Sequence, residues 1–145
     1  MAAAEFDWLV PADHPAFYGA SRFTLNVTRA DMIAAGHSPS VRLFEAAACA
    51  VPIISDYWDG LETFFTIGTD ILIASSPLDT LRHLALPDDE RISIGRRARR
   101  RVLAEHTAEH RAIELEQHVD EVRANKALAS SYRSRREQGS RIATQ

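Results

Sequence analysis

Short apolar runs alternate with longer mixed stretches along this chain. Residues 6–10 (FDWLV) form an apolar run closed by Pro11, which predicts a strand. Asp13-His14-Pro15 then starts a short helix over 16–21, since proline fits a first turn where its missing N–H costs nothing. Residues 23–27 (FTLNV) alternate apolar and polar positions and predict a strand with one buried face. A polar stretch over 28–40 follows, with a short helix around 30–35 ended by Gly36. The clearest helix covers 41–50. Ser40 is a good cap, and the run AAACA leaves so little bulk that this helix can approach a sheet closely. Residues 51–55 and 70–74 are short and apolar, the pattern of parallel strands covered on both faces. Between them GLETFFTI (60–67) predicts a helical turn. Pro77 opens a helix to residue 85, Asp88 or Asp89 caps one over 90–105, and Thr107 caps a last one over 108–129. That last helix carries Ala112, Leu115, Val119 and Val122 on one face. No internal repeat is present.

Strands alternating with helices predict an α/β fold: a partial Rossmann-like parallel sheet of about three or four strands, flanking helices and a C-terminal helical extension. The expected division is a domain over 1–128 and a disordered basic tail over 129–145, where arginines dominate and apolar residues are few. Ligands of such sheets sit at the carboxyl ends of the strands. Here those ends are Thr28-Arg29, Ser55-Asp56 and Ser75-Ser76.

Composition narrows the function classes. The chain has 145 residues, a net charge of −3 and a single cysteine, Cys49. One cysteine forms no internal disulfide and suits a reducing compartment, so a cytoplasmic location is expected. No apolar run is long enough for a membrane span, and the start MAAAEFDWLV lacks the basic and apolar regions of a signal peptide. The nearest approach to a metal motif is His106-Thr-Ala-Glu-His110, but the Glu is not next to the first histidine, so no metal is expected. Charge is unevenly spread: residues 1–90 carry a net −9 and residues 91–145 a net +6. Within the basic part, Arg96 to Arg101 read RRARRR. That run invites a nucleic-acid reading, yet no aromatic residues interleave for base stacking, and Ile94, Ala98 and Val102 give the segment a buried side. A solvated helix face is preferred, with no nucleic-acid partner.

The segment SPSVRLFEAAACAVPIISD, with FTLNVT before it and the G-L-E turn, DILIAS and RRARRRVLAEHT after it, carries a family resemblance. The chain resembles the C-terminal, donor-nucleotide part of a GT-B glycosyltransferase of the CgeB-like, family-4-type group, over about residues 5–125. The resemblance implies glycosyl transfer from a nucleotide-sugar donor to an unknown acceptor, retaining and metal-independent, with no cofactor besides that substrate. It implies that Glu45 accepts hydrogen bonds from the ribose hydroxyls, which an ionised carboxylate does well. Ser40 and the amides of Val41 and Arg42, at a helix start, would face the phosphates. Arg29 and Arg42 are further phosphate candidates. His37 stands where many relatives carry a second Glu, and Ala50 where they carry Gly. The resemblance assigns no catalytic residue within this chain. In such enzymes the acceptor side comes from a second α/β domain, so a homo-oligomer or a chain supplying that domain is the expected partner. From the residues alone, Glu45 also reads as an exposed acid favoured by the helix dipole. Arg42 equally reads as a surface partner of Glu45 or Asp31. Tyr57 and Trp58 read as packing or rim residues ahead of a nucleobase stack, and Asp56 as a residue that orients a loop ahead of one that touches the ligand. The competing function is a non-catalytic accessory module acting by protein association through an open sheet edge.

Overall fold

The structure, a computed structural model, describes residues 10–37 and 39–142, with side chains through residue 127. The strand expected over 6–10 lies outside the described residues except for Val10. The chain divides into two compact units, Met1–His106 and Thr107–Gln145.

The first unit is α/β. A 3-10 turn at Pro11–Asp13 leads into α1 (His14–Gly19). Strand β1 (Thr24–Asn26) follows, then α2 (Ala30–Ala35), α3 (Val41–Ala48) and β2 (Ile53–Ser55). A 3-10 turn at Leu61–Thr63 precedes β3 (Leu72–Ile73), and α4 (Pro77–Leu84) and α5 (Asp88–Glu105) complete the unit. The three strands form one parallel sheet in the order β1-β2-β3, with Leu25 opposite Ile54 and Ile54 opposite Leu72.

Strand β2 is covered on both faces, as its unbroken apolar run requires. Ile53 packs with Leu43, Ala46 and Ala47 of α3, joined by Trp58, Leu61, Phe65, Ile71, Ala98 and Val102. Ile54, on the other face, packs with Leu72 and Ile94. Ile94, Ala98 and Val102 form the buried side of α5, as the sequence predicts. Trp58 is core, with 2% of its surface exposed.

Strand β1 corrects one expectation. Its alternation is real, but the buried face is the polar one: Thr24 and Asn26 are buried, while Leu25 is 54% exposed. Register explains this. Thr24 and Asn26 lie beside Ile53 and Ser55, on the face that α3 covers. Leu25 lies beside Ile54, on the face where Ile94 packs with Ile54 and Leu72 and where Phe23, but not Leu25, joins the cluster. Periodicity reports that two faces differ, not which one a neighbour covers.

The turn after α3 corrects another. Ala50 is not inside the helix: Cys49 is the C-cap, and Ala50 takes a left-handed φ of 58°. The Ala50 amide donates to the Ala47 carbonyl and the Val51 amide to the Ala46 carbonyl, the two bonds of a Schellman ending. Glycine usually fills this position because a β-carbon there is strained. Helix α5 crosses this turn so closely that a methyl on Gly95 would run into the Ala50 carbonyl oxygen.

The second unit is a single long helix, α6 (Ala108–Ile142). Thr107 caps it, its hydroxyl oxygen accepting from the His110 amide at 3.4 Å and also pairing with His110 Nδ1 at 2.6 Å. The metal-like spacing of His106 and His110 therefore straddles a helix break, with His106 ending α5. The helix runs on to Ile142 where a disordered tail is expected over 129–145, and residues 143–145 lie outside the described residues. Alanine, arginine, glutamate and glutamine are all good helix formers, and extending a helix costs far less than starting one. Leu115, Val119 and Val122 are exposed along it. Among the described residues no helix is long and apolar enough to cross a membrane.

Candidate functional site

The carboxyl ends of β1 and β2 are joined by a closed polar network. Asn26 Nδ2 donates to Ser55 Oγ at 3.0 Å and to Thr28 Oγ1 at 3.2 Å. The Thr28 hydroxyl donates to Asp56 Oδ1 at 2.8 Å, and the Thr28 amide donates to the same carboxylate. Asp56 thus fixes the start of the loop that carries Arg29, which is the loop-orienting role read from its position. That loop ends at Gly36 and His37, both with positive φ. The His37 amide donates to the Asp59 carbonyl at 2.7 Å, and its ring lies against Gly60 so closely that a β-carbon there would enter it. The loops after β1 and β2 are therefore docked on each other, and the left-handed Gly60 (φ 98°) makes the docking possible.

Helix α3 begins beside these loops. Ser40 occupies the cap position, but its hydroxyl makes no capping hydrogen bond. Among the described residues no partner meets the amide of Val41 or Arg42. The helix start thus presents donors and a hydroxyl, with the positive end of the helix dipole behind them. Arg42 is exposed and pairs with neither Glu45 nor Asp31. It lines a cleft of about 200 Å³ with Phe17, Tyr18, Phe23 and Leu25. Arg29, at the cap of α2, is exposed and unpaired among the described residues.

Glu45 lies one turn into α3 and faces α1. His14 Nδ1 is 3.3 Å from Glu45 Oε1, and the Tyr18 hydroxyl donates to Glu45 Oε2 at 3.3 Å. The carboxylate is half-buried, with 37% of its side chain exposed. Burial, followed by the charge and the hydrogen bond of Glu45, raises the Tyr18 hydroxyl above its usual value of 10.0. Tyr18 therefore stays a neutral donor to a charged acceptor. An ionised carboxylate offers about four lone-pair sites, and two are used here. His14 and Tyr18 are the residues that sequence reasoning missed. Their spacing of four positions puts them on one face of α1, a visible signal, but nothing in the sequence says what that face meets.

The structure thus brings Ser40, Val41, Arg42 and Glu45 onto one helix start. Arg29 and His37 sit on the adjoining loop and make no hydrogen bond or ion pair with them. Tyr57 is half-exposed at the rim, with its hydroxyl 3.5 Å from Glu62. Among the described residues no group of three or more His, Cys, Asp or Glu is placed to hold a metal ion.

Comparison with known proteins follows the same outline. No curated protein and no solved structure matches the chain. A family model described as glycosyl transferase-like matches residues 3–117, which include β1, β2, β3, the α3 start and Glu45. With that match spanning most of its length, the chain belongs to the glycosyl transferase-like family.

Proposed function

We propose that this chain is the donor half of a GT-B-type glycosyltransferase and binds a nucleotide-sugar at the carboxyl edge of its sheet. The carrying observation is the Glu45 carboxylate, held from one side by His14 and Tyr18 and open on the other. A ribose with two adjacent hydroxyls supplies the two donors that the remaining lone pairs accept. The amides of Val41 and Arg42, the Ser40 hydroxyl, and the guanidinium groups of Arg42 and Arg29 take the diphosphate. Charge that builds on the departing diphosphate is then met by a helix start and cations, without a metal. His37 lines the same loop edge as a hydrogen-bond donor to the sugar or phosphate. Transfer is retaining, and the acceptor enters from a second domain. Among the described residues β1 is an edge strand, with Leu25 54% and Val27 72% exposed, which supports a partner chain or a second copy completing the sheet and the cleft.

Titration of the purified chain with UDP-, GDP- and ADP-sugars tests this reading. Binding of one series, weakened by Glu45→Ala, is the expected outcome. A chain that binds none of the three would sink the proposal.

A further inference from the structure

The described part of the first unit holds ten arginines, and they divide by what they touch. Arg22, Arg82 and Arg91 sit in ion pairs with Asp79 or Asp88. On α5, Arg97 donates to the Thr69 carbonyl at 2.9 Å and Arg101 to the Phe64 carbonyl at 2.7 Å, so both clamp the turn before β3. Arg29 and Arg42 belong to the edge already described. The remaining three, Arg96, Arg99 and Arg100, make no hydrogen bond or ion pair among the described residues. They sit together on the flank of α5 away from the clamp and line an open depression of about 580 Å³ with Ser93, Leu103 and Ala50.

We propose that this depression binds a phosphate group, as a second anion site distinct from the nucleotide edge. No carboxylate lines it. Arg96 stands three and four residues before Arg99 and Arg100, spacings at which like charges on a helix repel by about 0.2–0.5 kcal/mol per pair. A bound anion would relieve that repulsion, and among the described residues no carboxylate does. Each guanidinium offers five donors in a planar fork that matches phosphate oxygens two at a time. Three forks suit a multiply charged phosphate better than a single carboxylate. The lining contains no aromatic side chain, so a stacked nucleobase is not the favoured occupant. Ala50 places the depression at the carboxyl end of α3, about 12 Å from the helix start that faces the nucleotide edge. The phosphate can belong to a soluble metabolite or to an anionic lipid headgroup, and the fold accommodates either because the depression is open to solvent.

Pyrophosphate is the probe. In amide NMR spectra of the full chain it should shift resonances over 93–103, and any shifts over 40–45 report the separate nucleotide edge. Arg96→Gln/Arg99→Gln/Arg100→Gln should weaken the binding at least tenfold, while Glu45→Ala leaves it unchanged. Sedimentation with phosphatidylglycerol vesicles but not phosphatidylcholine vesicles, lost in the triple variant, assigns the phosphate to a lipid. Pyrophosphate binding without vesicle binding assigns it to a soluble ligand. Three outcomes overturn the proposal: no shifts beyond those of sodium chloride at equal ionic strength, shifts confined to 40–45, or retention of an oligonucleotide without a pyrophosphate response. The wild-type spectra decide the question even if the triple variant does not fold.

Discussion

The two ends of α3 have opposite designs. At the carboxyl end the amides of Cys49, Ala50 and Val51 all donate to carbonyls of the last turn. The Schellman bonds of Ala50 and Val51 close the helix, and Gly95 lets α5 rest directly on the turn. At the amino end the Ser40 hydroxyl makes no capping bond, the amides of Val41 and Arg42 have no partner among the described residues, and Glu45 is held by His14 and Tyr18 of α1. The difference teaches how a short helix can present a rigid binding edge. An eight-residue helix is marginal by itself, so its stability comes from packing at the closed end and along Leu43, Ala46 and Ala47. That packing allows the open end to keep unmet hydrogen-bonding groups for a ligand. Changes at the closed end should therefore alter stability, and changes at the open end should alter binding.

The strongest way to break this division is at the crossing. Gly95→Ala places a methyl against a backbone carbonyl that cannot move aside. Its better helix propensity recovers little, and chemical denaturation should report a loss of about 2 kcal/mol. Retained stability would mean that the turn and α5 are not in contact. The matching change at the open end is Glu45→Gln, which keeps the shape and removes the charge. Affinity for the preferred nucleotide-sugar should fall about tenfold, or about 1.4 kcal/mol, with the melting temperature little changed. A large loss of stability without a loss of affinity would invert the roles assigned to the two ends.

Ala50→Gly sharpens the contrast. It relieves the left-handed strain of roughly 1–2 kcal/mol and gives back part of that as unfolded-chain entropy. A net gain of about 1 kcal/mol is expected in the same denaturation assay, with nucleotide affinity unchanged. The smallest effect concerns pH. The Tyr18 hydroxyl is raised in the folded state by burial and by Glu45. A group raised on folding contributes stability that is complete below its unfolded value, near 10.0, and is lost as pH climbs through the folded value. The denaturation midpoint should therefore decline in the alkaline range above that value, and Tyr18→Phe should make the decline shallower.

Much of this arrangement was readable from the residues. The apolar run of β2, the small-residue face of α3 and the proline and serine boundaries of α4 each express a local rule, so the parallel α/β order and the position of Glu45 followed. What could not be read depends on distant partners. His14 and Tyr18 reach Glu45 across 31 and 27 positions. The inverted faces of β1 depend on which face α3 covers, with Thr24 and Asn26 buried and Leu25 exposed. The left-handed turn at Ala50 was hidden because the residue that normally announces it, glycine, is absent there.

The arginine clamp on the turn before β3 has a consequence for the order of events during synthesis. The carbonyls of Phe64 and Thr69 find their donors in Arg101 and Arg97, which lie 37 and 28 positions later in the chain. A ribosome delivers the amino end first, so β1, β2 and β3 can all have emerged while this turn still lacks its donors. The turn between the second and third strands is thus completed only when α5 arrives, and the sheet waits on a helix that follows it.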